Sequence, residues 1–321
     1  MEKPSFDPGL TQKYTGELRR AINKDGRFNV VRRGTNWHDV HPYLYLIHSS
    51  WQTFLFITLG SFFVVNLIFA TIYIVLGVEN LHGANAPHLY ERVLNAFFFS
   101  AQTLTTVGFG SIYPVGIPTN FVATVEVFAG LMSFAVATGL LVGRVSRPSA
   151  RIGFSETMVM TPYQDQTALM FRVANRRSNS LMELSAQVLL MTVEDCGGRL
   201  ERRFVLLTLE RPSVLFFPLT WTIVHPIDQQ SPLYGKTAED LEHLRVEFLI
   251  LIKGTDDTFG QTVHQRYSYR HDEVVWNAKF APAFDVTAEG NLELQMDRLS
   301  ELVEVGLGQL PQRQKSPQSV N

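Results

Sequence analysis

Thr106-Val107-Gly108-Phe109-Gly110 decides how the chain is read. Its two glycines tolerate positive φ, so consecutive carbonyls can all turn to one side of the backbone. Thr106 adds a hydroxyl and a carbonyl at one end, while Val107 and Phe109 point away and brace the loop. Gly-aromatic-Gly also marks ordinary turns, so the surroundings carry the weight. The pentapeptide lies within residues 93–125, which hold no charge, just after Phe97-Phe98-Phe99. Ser111-Ile112-Tyr113-Pro114 follows it and turns the chain back.

Working outward, residues 51–78 carry no charge and exceed the roughly 20 residues needed to cross hydrocarbon. Residues 119–145 form a second span, and Glu126 is the one acidic residue inside it. Residues 90–104 are too short to span and read as a re-entrant helix, which membranes tolerate where protein buries it. Residues 79–89 are turn-rich and read as an outer loop. Lysines and arginines cluster before the first span and after the second, with only Arg92 between, so both termini are expected in the cytoplasm. Intramembrane carboxylates face protein or water. Glu126 is therefore expected to brace the short helix through Gln102 or Thr103.

Composition agrees with this division. The 321 residues have a net charge of −2 and are 45% hydrophobic, but charges almost vanish between residues 51 and 143. Residues 1–35 are of mixed charge and expected to be only partly ordered. In residues 36–50, Trp37, Val40, Leu44 and Ile47 recur at helical spacing, which suits a helix lying along the membrane surface. A single cysteine, Cys196, excludes an internal disulfide framework. His38 with His41, and His264 with His271, lack a metal-ligand set. His225, Asp228 and Ser231 lack a nucleophile elbow. The chain is expected to be no enzyme, to need no organic cofactor and to bind no nucleic acid; no cleavable signal is evident.

After Pro148 the pattern changes. Short β-branched runs recur at residues 157–160, 168–173, 185–193, 204–209, 221–224, 245–251, 265–269 and 273–280, separated by turn residues. That spacing argues for an all-β sandwich over residues 148–290, with one short helix at 236–244. Residues 291–321 are assigned to a C-terminal tail, its last part rich in Gln, Pro and Ser.

These motifs also carry a family resemblance. TVGFG resembles the filters of potassium channels, where backbone carbonyls replace the ion's hydration shell. The order of span, short helix, TVGFG, span and β-rich domain resembles the inward-rectifier potassium channels, particularly the prokaryotic members. Phe97-Phe98-Phe99-Ser100-Ala101-Gln102-Thr103 is similar to their pore helix. His225-Pro226-Ile227-Asp228-Gln229-Gln230-Ser231-Pro232-Leu233-Tyr234-Gly235 resembles a long cytoplasmic signature. The likeness spans roughly residues 30–285 and implies a two-span α-helical pore module followed by a cytoplasmic immunoglobulin-like sandwich.

The resemblance further implies a homotetramer in a bacterial inner membrane that holds K+ at Thr106, Val107, Gly108 and Phe109. Gly130 matches an inner-helix hinge, with close helix packing the other reading. Phe134 stands where strong rectifiers carry an acid, and Thr138 and Val142 match a bundle-crossing gate. Arg144, Arg147 and Arg177 match positions that bind anionic lipid headgroups, although Ser149 and Ala150 fill sites that relatives often make basic. Glu183 matches an acid of the cytoplasmic pore. Lys253 replaces a glutamate, and Gly254 begins a loop forming a second constriction. Block by polyamine or Mg2+ is therefore expected to be weak, with Ba2+ a blocker of the filter. Two other readings stand beside this one. The first is a cation pore of relaxed selectivity, because Phe109 replaces the commoner tyrosine. The second is a two-span receptor whose sandwich binds a ligand.

Overall fold

The computed structural model describes residues 8–10, 13–14, 20–31, 33–34, 41–146, 150–177, 179–195, 197 and 200–305. They fall into two compact units, one over Arg32–Arg147 and one joining Met1–Val31 to Pro148–Asn321. Within the second, β1 (Lys13–Tyr14) pairs with a strand some 190 residues later, described below.

The first unit is helical: α1 (Pro42–His48), α2 (Trp51–Leu76), β2 (Leu81–His82), α3 (Leu89–Leu104), β3 (Tyr113–Pro114) and α4 (Ile117–Val145). Ser50 starts α2 by accepting the Thr53 N–H at 3.1 Å. Pro118 sits in the first turn of α4, where its missing N–H has no cost. With 26 and 29 residues, α2 and α4 are long and apolar enough to cross a membrane. At 1.5 Å per residue they reach about 39 and 44 Å, beyond the hydrocarbon core of about 30 Å. The outer loop expected at 79–89 supplies β2, which pairs with β3 beyond Gly110, and there His82 stacks on Tyr113 at 4.5 Å. Of the expected surface helix only α1 is described; Trp37 and Val40 lie outside the described residues.

The second unit is built of sheets. Its strands are β4 (Ile152–Phe154), β5 (Met158–Tyr163), β6 (Gln166–Asn175), β7 (Leu181–Asp195), β8 (Leu200–Leu206), β9 (Ser213–Phe216) and β10 (Thr220–Ile227). After α5 (Ala238–His243) come β11 (Glu247–Asp256), β12 (Gln261–Arg270), β13 (Val274–Trp276), β14 (Ala278–Phe280), β15 (Phe284–Val286), β16 (Leu292–Leu294) and β17 (Leu302–Glu304). One sheet runs β1-β8-β7-β11-β12 with β9 also on β7; the other runs β10-β6-β5-β13 with β4 also on β6. Successive strand residues face opposite ways. Trp221, Ile223 and Ile227 of β10 therefore meet Leu169, Phe171 and Val173 of β6 and Phe248, Ile250 and Ile252 of β11 in one core. A capping box between Thr237 and Asp240 starts α5 inside the helix expected at 236–244.

Several boundaries differ from the sequence reading, and three of the differences have a clear structural reason. Arg245 takes φ 46° after α5, so the strand begins at Glu247 rather than at 245. The single run expected at 273–280 is cut by Asn277 at φ 56° into β13 and β14. Residues 291–305, assigned to a tail, are folded, because β16 pairs with β15 and β17 pairs with β14. Residues 306–321 and Cys196 lie outside the described residues.

Candidate functional site

The Thr106–Gly110 segment leaves the end of α3 under close control. Thr105 N–H donates to Ala101 O at 3.1 Å, Thr106 N–H to Thr103 O at 3.0 Å and Val107 N–H to Gln102 O at 2.9 Å. Gln102 and Thr103 thus support the segment through their carbonyls. Thr106, Gly108 and Gly110 take φ of 60°, 55° and 79°, while Val107 and Phe109 do not enter the positive range. Such alternation of backbone handedness is the pattern that allows successive peptide carbonyls to face a common side. A non-glycine residue seldom adopts positive φ, so Thr106 is held there by its hydrogen bonds. Val107 and Phe109 are 54% and 76% exposed in the single chain.

Behind this segment lies a chain of buried polar groups. Glu126 of α4 is fully buried, as are Tyr73 and Asn66 of α2 and Ser100 of α3. Tyr73 Oη–H donates to Glu126 Oε2 at 2.6 Å, and Ser100 Oγ–H donates to Glu126 Oε1. Ser100 Oγ also lies 3.1 Å from Asn66 Oδ1, and Asn66 Nδ2 donates to Phe62 O at 2.7 Å. Glu126 was expected to reach Gln102 or Thr103; its partner is Ser100, which α3 turns toward α4 while the later residues face elsewhere. Sequence reasoning missed Asn66, Tyr73 and Ser100. For Asn66 and Tyr73 a signal was available: polar side chains at i and i+7 on an otherwise apolar span share a face.

Gly130, four residues after Glu126, meets α3 one turn lower. A Cβ there would fall 2.0 Å from Leu104 O, so only glycine permits the approach. Of the two readings of Gly130, the geometry bears on packing: α4 is continuous through it. Phe134, Thr138 and Val142 follow at four-residue steps along one exposed stripe of α4. A cavity of about 620 Å³ brings Gly130 and Phe134 together with Thr105 and Thr106, and with Thr58 and Ser61 of α2.

Arg144, expected from the resemblance to meet anionic lipid, has partners within the chain. Its guanidinium is engaged within the chain, donating to the carbonyls of Leu46, Ile47 (3.3 Å) and Ser49 (2.8 Å) and to Ser49 Oγ (3.2 Å). It also stands 4.8 Å from the Trp51 ring centre and 4.7 Å from that of Phe54. The charge closes the junction of α1 and α2, because carbonyls at a helix end attract a cation. Arg147 lies outside the described residues. In the sheet unit Arg177 occupies the turn after β6, its N–H held by Asn175 Oδ1 at 3.0 Å. Glu183, Lys253 and Gly254 meet at a bulge where the β7–β11 register shifts, and Glu183 there takes φ 53°. Lys253 stands opposite Ser185 and His264, exposed like Glu183.

The HPIDQQSPLYG signature has a structural use. His225 is 4% exposed; its Nδ1 donates to Thr208 O at 2.7 Å and its Nε2 lies 2.8 Å from Ser231 Oγ. Burial lowers its pKa, against the Thr208 hydrogen bond and the charge of Asp228. Residues of the N-terminal segment, expected to be only partly ordered, are seated on the same unit. Glu247 accepts the N–H groups of Ala21 (2.9 Å) and Ile22 (3.3 Å), and Glu273 pairs with Arg20 and with Lys24 at 2.7 Å.

Both units match known families. Residues 60–147 match a family described as ion channel, and residues 152–319 match the inward rectifier potassium channel C-terminal domain. The chain belongs to the inward rectifier potassium channel family. It is 35% identical to the inward rectifier potassium channel Kirbac3.1 of Paramagnetospirillum magnetotacticum, over 89% of this chain and 96% of that one. It is 27% identical to the human G protein-activated inward rectifier potassium channel 1, over 94% of this chain but 64% of the relative. The corresponding human channel 3 is 27% identical over 95% of this chain and 83% of its own length. A likeness to the Bacillus subtilis sporulation control protein Spo0M, with TM-score 0.24 and 11% identity over 40% of this chain and 50% of that one, bears on nothing here. The chain is thus a membrane protein of an ion-channel family and not an enzyme. A receptor with two spans does not account for channel matches in both units.

Proposed function

We propose that four copies of the chain surround one pore and pass K+ through their Thr106–Gly110 carbonyls. The observation that carries this is the alternation of positive φ at Thr106, Gly108 and Gly110, directly after a helix fixed by both spans. One chain supplies one carbonyl row, and a cage replacing a hydration shell needs several. The exposure of Val107 and Phe109 fits cover from a neighbouring copy. Phe134, Thr138 and Val142 would line the inner pore, where a hydrophobic ring closes by dewetting. Phe134 brings no charge there, and Lys253 sets a cation beside Glu183, so polyamine and Mg2+ block is weak. Arg147 and Arg177 are the candidates for anionic lipid, each worth about 1 kcal/mol near such a surface. Arg144 acts instead on the α1–α2 junction. Both termini then lie in the cytoplasm.

The test is flux into liposomes holding the purified channel, with K+, Rb+ and Na+ compared and Ba2+ as blocker. The expected result is Ba2+-sensitive K+ and Rb+ flux at least about tenfold above Na+, lost in Gly108→Ala, whose φ an L side chain resists. Equal Na+ flux would overturn the selectivity, and wild-type flux in Gly108→Ala would overturn the filter.

A further inference from the structure

The inner helix α4 touches the pore-facing helix α3 at two points in matching register. Glu126 and Gly130 are four residues apart on α4; Ser100 and Leu104, their partners, are four apart on α3. Residues at i and i+4 share a helix face, so the two contacts lie one above the other. The upper contact is a directional hydrogen bond and the lower is backbone against backbone, with no side chain to yield. From α2, Tyr73 and Asn66 complete the upper contact, so one carboxylate joins all three helices.

We infer that Tyr73, Asn66, Ser100 and Glu126 are positioning residues that set ion selectivity by fixing the height and rotation of α3. The inference rests on the filter reading of Thr106–Gly110. Its physical basis is the short path from clamp to segment. Ser100 precedes Gln102 and Thr103 by two and three residues, and their carbonyls hold the Val107 and Thr106 N–H groups. A rotation of α3 about its axis is passed directly to the first two residues of the segment. Packing alone would not need a carboxylate here. Apolar side chains of similar volume fill buried space without the cost of burying an acid. What the acid adds is direction: two hydroxyl donors from different helices converge on its two oxygens, which fixes azimuth as well as distance.

The full-length channel in liposomes tests this, with Rb+ and Na+ uptake measured on the same preparation. Glu126→Leu removes both acceptors, Tyr73→Phe and Ser100→Ala each remove one donor, and Glu126→Gln keeps hydrogen bonding to both. In Glu126→Leu that still assembles as wild type on size exclusion, the Rb+ to Na+ ratio is expected to fall about tenfold, and about threefold in each hydroxyl deletion. Glu126→Gln should keep it within about twofold. Assembled Tyr73→Phe and Ser100→Ala with the wild-type ratio would overturn the inference, and they decide it should Glu126→Leu fail to assemble. A uniform loss of both ions at an unchanged ratio would also overturn it, because a contact needed only for folding scales all ions alike. Gly108→Ala in the same assay separates the two levels: normal selectivity there sinks the filter itself, whereas its loss beside normal clamp variants sinks only the clamp.

Discussion

In the helical unit, Asn66, Tyr73, Ser100 and Glu126 lie inside while Phe56, Val75 and Phe128 are 80%, 80% and 64% exposed. In the sheet unit the order is reversed: Phe171, Ile223, Phe248 and Ile250 are inside, and polar side chains alternate outward. The solvents explain the reversal. Lipid gives apolar side chains no reason to hide, so helices there associate through close packing and hydrogen bonds. Water drives the alternating strand faces together. Specificity in the first unit therefore rests on a few contacts that cannot yield, and in the second on many that can.

The sharpest way to break this contrast is one substitution made in both units. Gly130→Ala puts a methyl 2.0 Å from a backbone oxygen, and moving it means moving α3. We expect a loss of about 3 kcal/mol, read as collapse of the assembled fraction and of flux. Gly254→Ala meets the side chain of Leu184 at 3.0 Å, which a small tilt relieves. Its thermal midpoint should move by less than about 1 kcal/mol implies. Equal effects at the two sites would show that the contrast is wrong. Substantial flux in an assembled Gly130→Ala channel would show that the backbone contact yields after all.

A second test asks whether the sheet unit also contains a contact that cannot yield. The N-terminal segment is the place to look, since Glu247 is 3% exposed and accepts backbone N–H groups of Ala21 and Ile22. Glu247→Ala leaves those donors unpaired, at a cost of about 2 kcal/mol. Trypsin should then cut at Arg20, Lys24 and Arg27 about tenfold faster, because local opening sets the cleavage rate. The sheets should remain resistant. Unchanged cleavage would mean that Ile22 and Phe204, in one apolar cluster, hold the segment without help.

How much of this could be read from sequence followed the same division. The spans, the short helix and most strands were legible, because uncharged runs and alternating faces are local signals. The partner of Glu126 was not, because the rotation of α3 is set by three helices together and Ser100 is an unremarkable serine in sequence. The partners of Arg144 were hidden for a similar reason: a basic residue after a span sets topology, and only the fold shows which carbonyls it meets. The register bulge holding Glu183 and Lys253 together is equally invisible, as are Asn277 and Arg245 with positive φ. Glu247 gave no hint, since nothing in a strand says that a distant segment will sit on it.

The smallest expected effect is a response of the sheet unit to pH. In the sheet unit, burial lowers the pKa of His225, so its folded value lies below the unfolded value of about 6.5. Well above that pH both states are neutral there and stability is unaffected. As pH falls through it, the unfolded chain takes the proton first and the folded state loses stability, until the folded pKa is also passed. Glu273 acts in a different window. Burial works against its charge, but hydrogen bonds from Arg20 and Lys24 outweigh this and lower its pKa. Its contribution is present above the unfolded value of about 4.3 and is lost as pH falls through the lower folded one. The thermal midpoint of the full-length protein in detergent should therefore decline in two steps on acidification, the first by a few degrees. His225→Gln should be less stable throughout, since Thr208 O and Ser231 Oγ lose a matched partner, yet it should lack the first step. Glu273→Gln should keep the first and lose the second. A first step that survives in His225→Gln would assign it to other groups and remove the pH signature of the buried His225.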